Sequence, residues 1–358
     1  LNNIVFYNII TRMNNFWQKL DKPILALAPM AGVTDIAFRQ MCKHFGADVI
    51  YTEFASADAL VHNAKKTLEM IKFDQSEKPI VVQIFGNKPE IFQKAGKILE
   101  ELGFDGIDIN FGCPAYKVVR HGGGVSLMKE PARCAELVQA LTESVKIPVS
   151  IKIRASIKKN SSAKKIKRTS DHGFIEGPLI TDPTDCGPNS DLDEVTAVDL
   201  VQHIIKFPVA ALMLHARSFE RPFDGVPNID IVKQVRKIWD RILLYNGGVT
   251  TPEIAQAMLV ETGADGVGIA RGAWGKPWLF QQTKDFLKTG KYSAYSESEI
   301  KNFIMQHADI AWREKGQRGL IELRKHLSWY VKGWPQAKQL RDQLVKINSI
   351  AEIKKILN

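Results

Sequence analysis

Short β-branched and apolar runs recur along the chain between stretches of helical periodicity. They are Ile24–Met30, Asp48–Tyr51, Ile80–Ile84, Gly106–Asn110, Val149–Ile153, Val209–Leu214, Ile242–Tyr245 and Gly266–Ile269. Between the first two, Phe38, Met41, Cys42 and Phe45 have the spacing of a buried helix face. Lys88-Pro89-Glu90, Glu130-Pro131 and Thr251-Pro252-Glu253 each place Pro where a helix begins. Eight strand–helix repeats predict an α/β fold, a parallel (β/α)₈ TIM barrel over about residues 22–288. Residues 1–21 precede it as an extension, and Glu297–Asn358 reads as a separate all-helical domain punctuated at Gly316, Gly319 and Gly333.

One interval breaks the rhythm. From the fifth run to the sixth the starts are 60 residues apart, which predicts an insertion at about 156–194. Its first part, Ser156–Ser170, carries six basic residues and no acid, and Asp171–Glu194 carries seven acids and no base. Such a segment reads first as a solvated loop that partly neutralises itself.

The 358 residues carry a net charge of +10, and residues 301–358 hold 12 Lys/Arg against 5 Asp/Glu. Most of the excess therefore lies in the tail, which makes that region the candidate surface for a polyanion. Cys42, Cys113, Cys134 and Cys186 form no C-x-x-C pair, so no metal site and no disulfide framework is indicated. A reducing cytoplasm is the expected location. No apolar stretch approaches the length that spans a bilayer, and Ile4–Ile10 is too short and polar for a signal core.

Reacting groups in such a barrel sit at the carboxyl ends of strands. Here those ends are polar: Glu53, Gln83, Asn110 to Pro114, Lys152-Ile153-Arg154, His215-Ala216-Arg217, Asn246-Gly247-Gly248 and Ala270-Arg271-Gly272. The last two loops match the recurrent barrel phosphate site, with bare backbone N–H groups and the permanent charge of Arg271. Sugar phosphates and flavin mononucleotide use such a site equally. Lys152 taken alone also fits a Schiff-base lysine.

The order Ala28-Pro29-Met30-Ala31-Gly32, Gln83-Ile84-Phe85-Gly86, Asn110-Phe111-Gly112-Cys113-Pro114, Lys152-Ile153-Arg154, His215-Ala216-Arg217 and Asn246-Gly247-Gly248 resembles the tRNA-dihydrouridine synthase family, especially its bacterial B type. The tail stretch Leu323 to Gly333 is similar to that family's helical RNA-binding domain. The resemblance implies FMN as cofactor and NADPH or NADH as reductant. It sets Pro29, Met30 and Ala31 against the flavin ring, Gln83 and Lys152 on its polar edge and His215 beside it. Asn246, Gly247, Gly248, Ala270 and Arg271 then surround the phosphate.

By the same resemblance Cys113 is the acid that protonates uracil C5 after hydride reaches C6. Asn110, Arg154 and Arg217 are candidate substrate contacts, and Arg324, Lys325, Trp329, Tyr330 and Lys332 are candidate grips on tRNA phosphates and bases. The enzyme is expected to act as a monomer on an extruded uridine. Three positions depart from the family pattern: Ala216 and Ala270 where Gly is usual, and Gly248 where Asp is common. The added methyls are expected to crowd the cofactor. An FMN dehydrogenase of a small pyrimidine or enone, and a non-catalytic RNA-binding protein on a barrel scaffold, are the alternatives.

Overall fold

A computed structural model describes residues 15–161, 193–221 and 225–358. Most of the 156–194 insertion, with Cys186, and the start of the 1–21 extension lie outside these residues. All eight predicted strands are present: β1 Ile24–Leu27, β2 Val49–Ser56, β3 Ile80–Phe85, β4 Gly106–Asn110, β5 Val149–Arg154, β6 Val209–His215, β7 Ile242–Asn246 and β8 Gly266–Ile269. They close in the order β1-β8-β7-β6-β5-β4-β3-β2, every neighbouring pair parallel. Helices cover the outside, and the apolar contacts between strands and helices form the larger core.

Alternation along each strand sends every second side chain into the barrel. Near the amino ends these are apolar: Ile24, Ala26, Val49, Val81, Ala211 and Leu244 meet Trp17, which is 1% exposed. Trp17 belongs to a short 3₁₀ turn, Phe16–Lys19, capped by the Asn15 side chain. The end of the predicted extension therefore plugs the barrel floor. Toward the carboxyl ends the inward positions turn polar, and those residues build the site below.

Where the insertion leaves and rejoins the barrel, Ser156–Lys158 and Glu194–Thr196 pair antiparallel as a small stalk. Among the described residues no helix is long and apolar enough to cross a membrane.

The tail is helical as expected, with Glu297–Tyr330 broken at Gly316, then Ala337–Leu344 and Ile350–Leu357. It is not self-contained, however. Its core residues Ile304, Ala308, Leu323 and Leu327 cluster with Ala37 and Met41 of the barrel helix Ile36–His44, with its C-cap Phe45 and with Trp278. At the centre of this junction Asp35 caps the barrel helix through the Phe38 N–H (3.0 Å) and lies 3.9 Å from both Lys315 Nζ and Lys325 Nζ. His307 and His326, both fully buried, flank it, with His326 on the Phe38 ring at 4.7 Å.

Burial holds the His307 imidazole down to about 4, and holds His326 well below the ordinary range. The unfolded chain therefore takes protons that the folded junction refuses as pH falls below about 6.5. Stability should be flat above that pH and be lost as pH falls from about 6.5 to about 4 through His307, by roughly 1.4 kcal/mol per pH unit, with His326 adding to the loss in the same direction. Among the described residues neither ring nitrogen of His326 has a hydrogen-bond partner. His326→Phe should therefore keep the stacking and reduce the acid slope of the thermal midpoint. An unchanged slope would sink this assignment.

Candidate active site

The inward positions nearest the mouth form two hydrogen-bonded groups side by side. Strand register sets Gln83 beside Asp108, Asn110 beside Lys152, and His215 beside Asn246. Gln83 Nε2 donates to Asp108 Oδ2 (2.7 Å), and the Gln83 carbonyl accepts from Asn110 Nδ2 (2.9 Å). Asn110 Oδ1 in turn accepts from the backbone N–H groups of Gly112 (3.1 Å) and Cys113 (2.8 Å). The side chain that ends β4 thus fixes the loop carrying the thiol. On the far side Lys152 Nζ donates to Asn246 Oδ1 (3.1 Å), whose amide donates to the Gly268 carbonyl (2.7 Å).

Cys113 is half-buried, and its Sγ accepts a long hydrogen bond from the Ala115 N–H (3.5 Å). Burial pushes the thiol up, against the pull of that N–H and of Arg154 and Lys152, so it is protonated at neutral pH. Burial and the adjacent Arg154 bring Lys152 down to about 8. Burial also drives His215 well below its ordinary range, and the charges of Arg154, Lys152, Arg217 and Arg271 push the same way, leaving a neutral imidazole. A mouth with this concentration of positive charge favours an anionic ligand.

The last two loops make a cradle. Gly247 and Gly248 have φ of 136° and 71°, a pair of left-handed positions that side chains rarely adopt. A Cβ on Gly247 would lie 3.2 Å from His215 Cδ2 and 3.4 Å from Arg217 Nη1, and one on Gly248 would lie 3.4 Å from Arg217 Nη2. Glycine at 248 leaves room for the Arg217 guanidinium, whose Nε donates to the Gly225 carbonyl (2.5 Å). Arg217, a candidate substrate contact, therefore stands at the cradle. Arg271 is exposed at the start of the short turn Arg271–Ala273.

Arg154 and the two alanines are placed as follows. Arg154 is buried and spends its guanidinium on the carbonyls of Gly112 (2.7 Å) and Ser218 (3.2 Å), so it braces the thiol loop instead of reaching outward. The Ala216 methyl is buried in the outer core between strands and helices, directed away from the mouth. Ala270 packs against the inner cluster. Pro29, Met30 and Ala31 follow β1 at the rim, where Trp274 Nε1 donates to Met30 Sδ at 3.1 Å. Trp274 lies two residues beyond the phosphate loop, outside the strand ends from which the candidate residues are drawn.

The tail residues are redistributed. Trp329 stacks on Trp274 (4.4 Å, interplanar 7°), and Tyr330 is 3% exposed with its hydroxyl on His307 Nδ1 (3.1 Å). Arg324 binds the Ile347 carbonyl and Asn348 Oδ1, while Lys325 faces Asp35 and the Glu322 carbonyl. These four tie the tail to itself and to the barrel. Lys332 is exposed as expected, together with Lys338, Lys346, Lys354 and Lys355.

Comparison with known proteins gives this arrangement its lineage. The family model "Dihydrouridine synthase (Dus)" matches residues 26–176 and 189–358. "Probable tRNA-dihydrouridine synthase 1" of Synechocystis sp. is 32% identical over 92% of this chain and 84% of its own length. "tRNA-dihydrouridine synthase B" of Pseudomonas aeruginosa is 29% identical over 90% and 88%, and its namesake in Xanthomonas axonopodis pv. citri is 32% identical over 89% and 87%. Among solved structures, 6-hydroxypseudooxynicotine amine oxidase from Pseudomonas geniculata N1 shares the fold at a TM-score of 0.51 and 11% identity, over 78% of this chain and 50% of that one. The match runs through the barrel, the thiol loop and the docked tail alike, and on that basis the chain belongs to the dihydrouridine synthase family.

Proposed function

We propose that this enzyme reduces uridines of tRNA to 5,6-dihydrouridine in the cytoplasm, with FMN as cofactor and NADPH or NADH as reductant. The observation that carries the reading is the joining of a protonated thiol, through Asn110 and Gln83, to a polar barrel mouth with an anion cradle at its opposite end. The residues fit FMN at both ends. Gln83 keeps one N–H and one carbonyl lone pair for a pyrimidine edge, Lys152 would supply positive charge beside it, and the Gly247-Gly248 backbone would hold the phosphate. The Tyr245 hydroxyl, buried without a partner, lies 3.6 Å from the Cβ position over Gly247.

When bound, FMN supplies hydride to C6 of the uracil ring. The chain's own part is the proton: Cys113 Sγ holds it until C5 gains negative character, then releases it there and is reprotonated from solvent. Asn110 keeps the thiol loop in register through the two backbone N–H groups it accepts. His215, neutral, adds no positive charge of its own beside Gly247 at the cradle.

Purified protein should be yellow and should convert uridine to dihydrouridine in tRNA lacking the modification, read as a gain of two hydrogens by mass spectrometry. A colourless protein, or turnover of free uracil but not of tRNA, would overturn the proposal. For RNA binding, the exposed lysines replace the expected Arg324 and Tyr330. If Lys332 and Lys338 each neutralise a phosphate, replacing both by Ala should lower the salt slope of tRNA affinity by about 1.4–1.8. An unchanged slope would remove the tail from the RNA interface.

A further inference from the structure

Beneath the mouth, one residue belongs to neither cofactor nor substrate. Asp108, midway along β4, is 0% exposed. Its Oδ2 accepts from Gln83 Nε2 at 2.7 Å and its Oδ1 from Ser150 Oγ at 2.6 Å, with the Tyr51 hydroxyl 3.5 Å behind Ser150. Ser150 is one inward position below Lys152 on β5, and Asn110 is one inward position above Asp108 on β4. The carboxylate, an acceptor only, therefore decides which end of the Gln83 amide turns down and which turns toward Asn110.

Its charge has a second consequence. Lys152 faces Arg154 on its own strand, Asp108 from β4, Cys113 from the loop that follows β4, and His215, while Arg217 and Arg271 stand farther round the mouth. Of these, Asp108 and the Cys113 thiol favour the ammonium form, and only the carboxylate is ionised at neutral pH. Around Asp108 itself stand Tyr51 from β2, Gln83 from β3, and Ser150 and Lys152 from β5.

We propose that Asp108 is a positioning residue for the reaction: closed off from any ligand, it orients Gln83 from below and supplies the negative charge against which Lys152 remains an ammonium. The inference rests on the reading of Gln83 and Lys152 as cofactor contacts. Burial raises Asp108 to about 6 against its hydrogen bonds and Lys152, and burial with Arg154 lowers Lys152 to about 8. Both are ionised between those values. Below the first Asp108 takes a proton, and above the second Lys152 loses one.

Asp108→Asn isolates the charge. The amide oxygen can accept from Gln83 while its NH₂ donates to Ser150 Oγ, so the hydrogen bonds survive. Trace acetylation of the full chain stripped of flavin, with the Lys152 peptide quantified by mass spectrometry across pH, reads the lysine directly. In wild type the midpoint should lie near 8, and in Asp108→Asn it should fall by about one pH unit. The alkaline limb of dihydrouridine formation should fall with it. Ser150→Ala, which removes a hydrogen bond but keeps the charge, should leave the lysine midpoint in place.

The reciprocal arm does not depend on the folding of Asp108→Asn: Lys152→Met should raise the Asp108 carboxyl titration, followed by isotope-labelled aspartate NMR, by a similar amount. An unmoved lysine in a folded Asp108→Asn protein, an equal shift in Ser150→Ala, or an unmoved carboxyl in Lys152→Met would overturn the proposal. If the lysine shifts as expected while no variant or wild type forms dihydrouridine, the coupling stands and the proposed function fails.

Discussion

Cys113→Ala is expected to lower dihydrouridine formation by about 10²- to 10⁴-fold, the usual contribution of a positioned general acid, with FMN content and tRNA affinity within about twofold of wild type. The separation of effects follows from how the loop is held. Its fixed points are backbone groups: the Cys113 N–H on Asn110 Oδ1, and the Cys113 carbonyl accepting from Val125 N–H at 3.1 Å. Alanine keeps both and removes only the proton source, with the weak Ala115 contact to sulfur. Because burial raises the thiol, the acid itself is lost only above the ordinary thiol range, so the rate should hold through neutral pH and its first alkaline decline belongs to Lys152 near 8. Single-turnover rates with saturating tRNA measure this. Product formation within threefold of wild type would assign the proton to another group.

Why the barrel was legible while parts of its site were not is a matter of which side of each strand carries information. The bounds of β4 and β8 coincide with the apolar runs because nothing polar interrupts the outward face there. β2 runs on to Ser56, beyond the expected Tyr51, since a register shift after Tyr51 carries Thr52 and Glu53 through a bulge that ends the apolar run. Inspection of strand ends finds Gln83, Asn110, Lys152, His215 and Asn246, which the structure joins in one mouth. It passes over Asp108, although a lone carboxylate inside Gly-Ile-Asp-Ile-Asn is itself a sign, because burying one without partners is costly.

The tail misleads for a different reason. Leu323, Leu327 and Tyr330 share a helix face, so Tyr330 reads as core by spacing, yet aromatic residues among cations suggest a nucleic-acid surface equally well. Only the docking partner decides. The Ala37 and Met41 face of the barrel helix, with its C-cap Phe45, is covered by the tail, and neither segment announces that in its own sequence.

Gly275→Ala is expected to undock that tail, at a cost of about 2–4 kcal/mol from overpacking plus a left-handed backbone position. Gly275 has φ +65°, and a Cβ there would lie 2.4 Å from the Trp329 carbonyl carbon, 2.5 Å from its oxygen and 2.7 Å from the Tyr330 nitrogen. All three are backbone atoms, so no rotamer change relieves the contact. The end of the Glu297–Tyr330 helix must retreat, taking Trp329 off Trp274 and loosening the bond from Trp274 to Met30. Gly290→Ala is the matched control: its φ is +73°, and nothing lies within 4 Å of its Cβ position. It should cost only the backbone strain, roughly 1 kcal/mol. Proteolysis between the last barrel helix and Glu297 should quicken in Gly275→Ala and not in Gly290→Ala, and the KM for tRNA should rise at least about tenfold in the first alone. Equal behaviour of the two variants would mean that the tail is not seated on the segment after β8, and that substrate reaches the thiol without help from the junction.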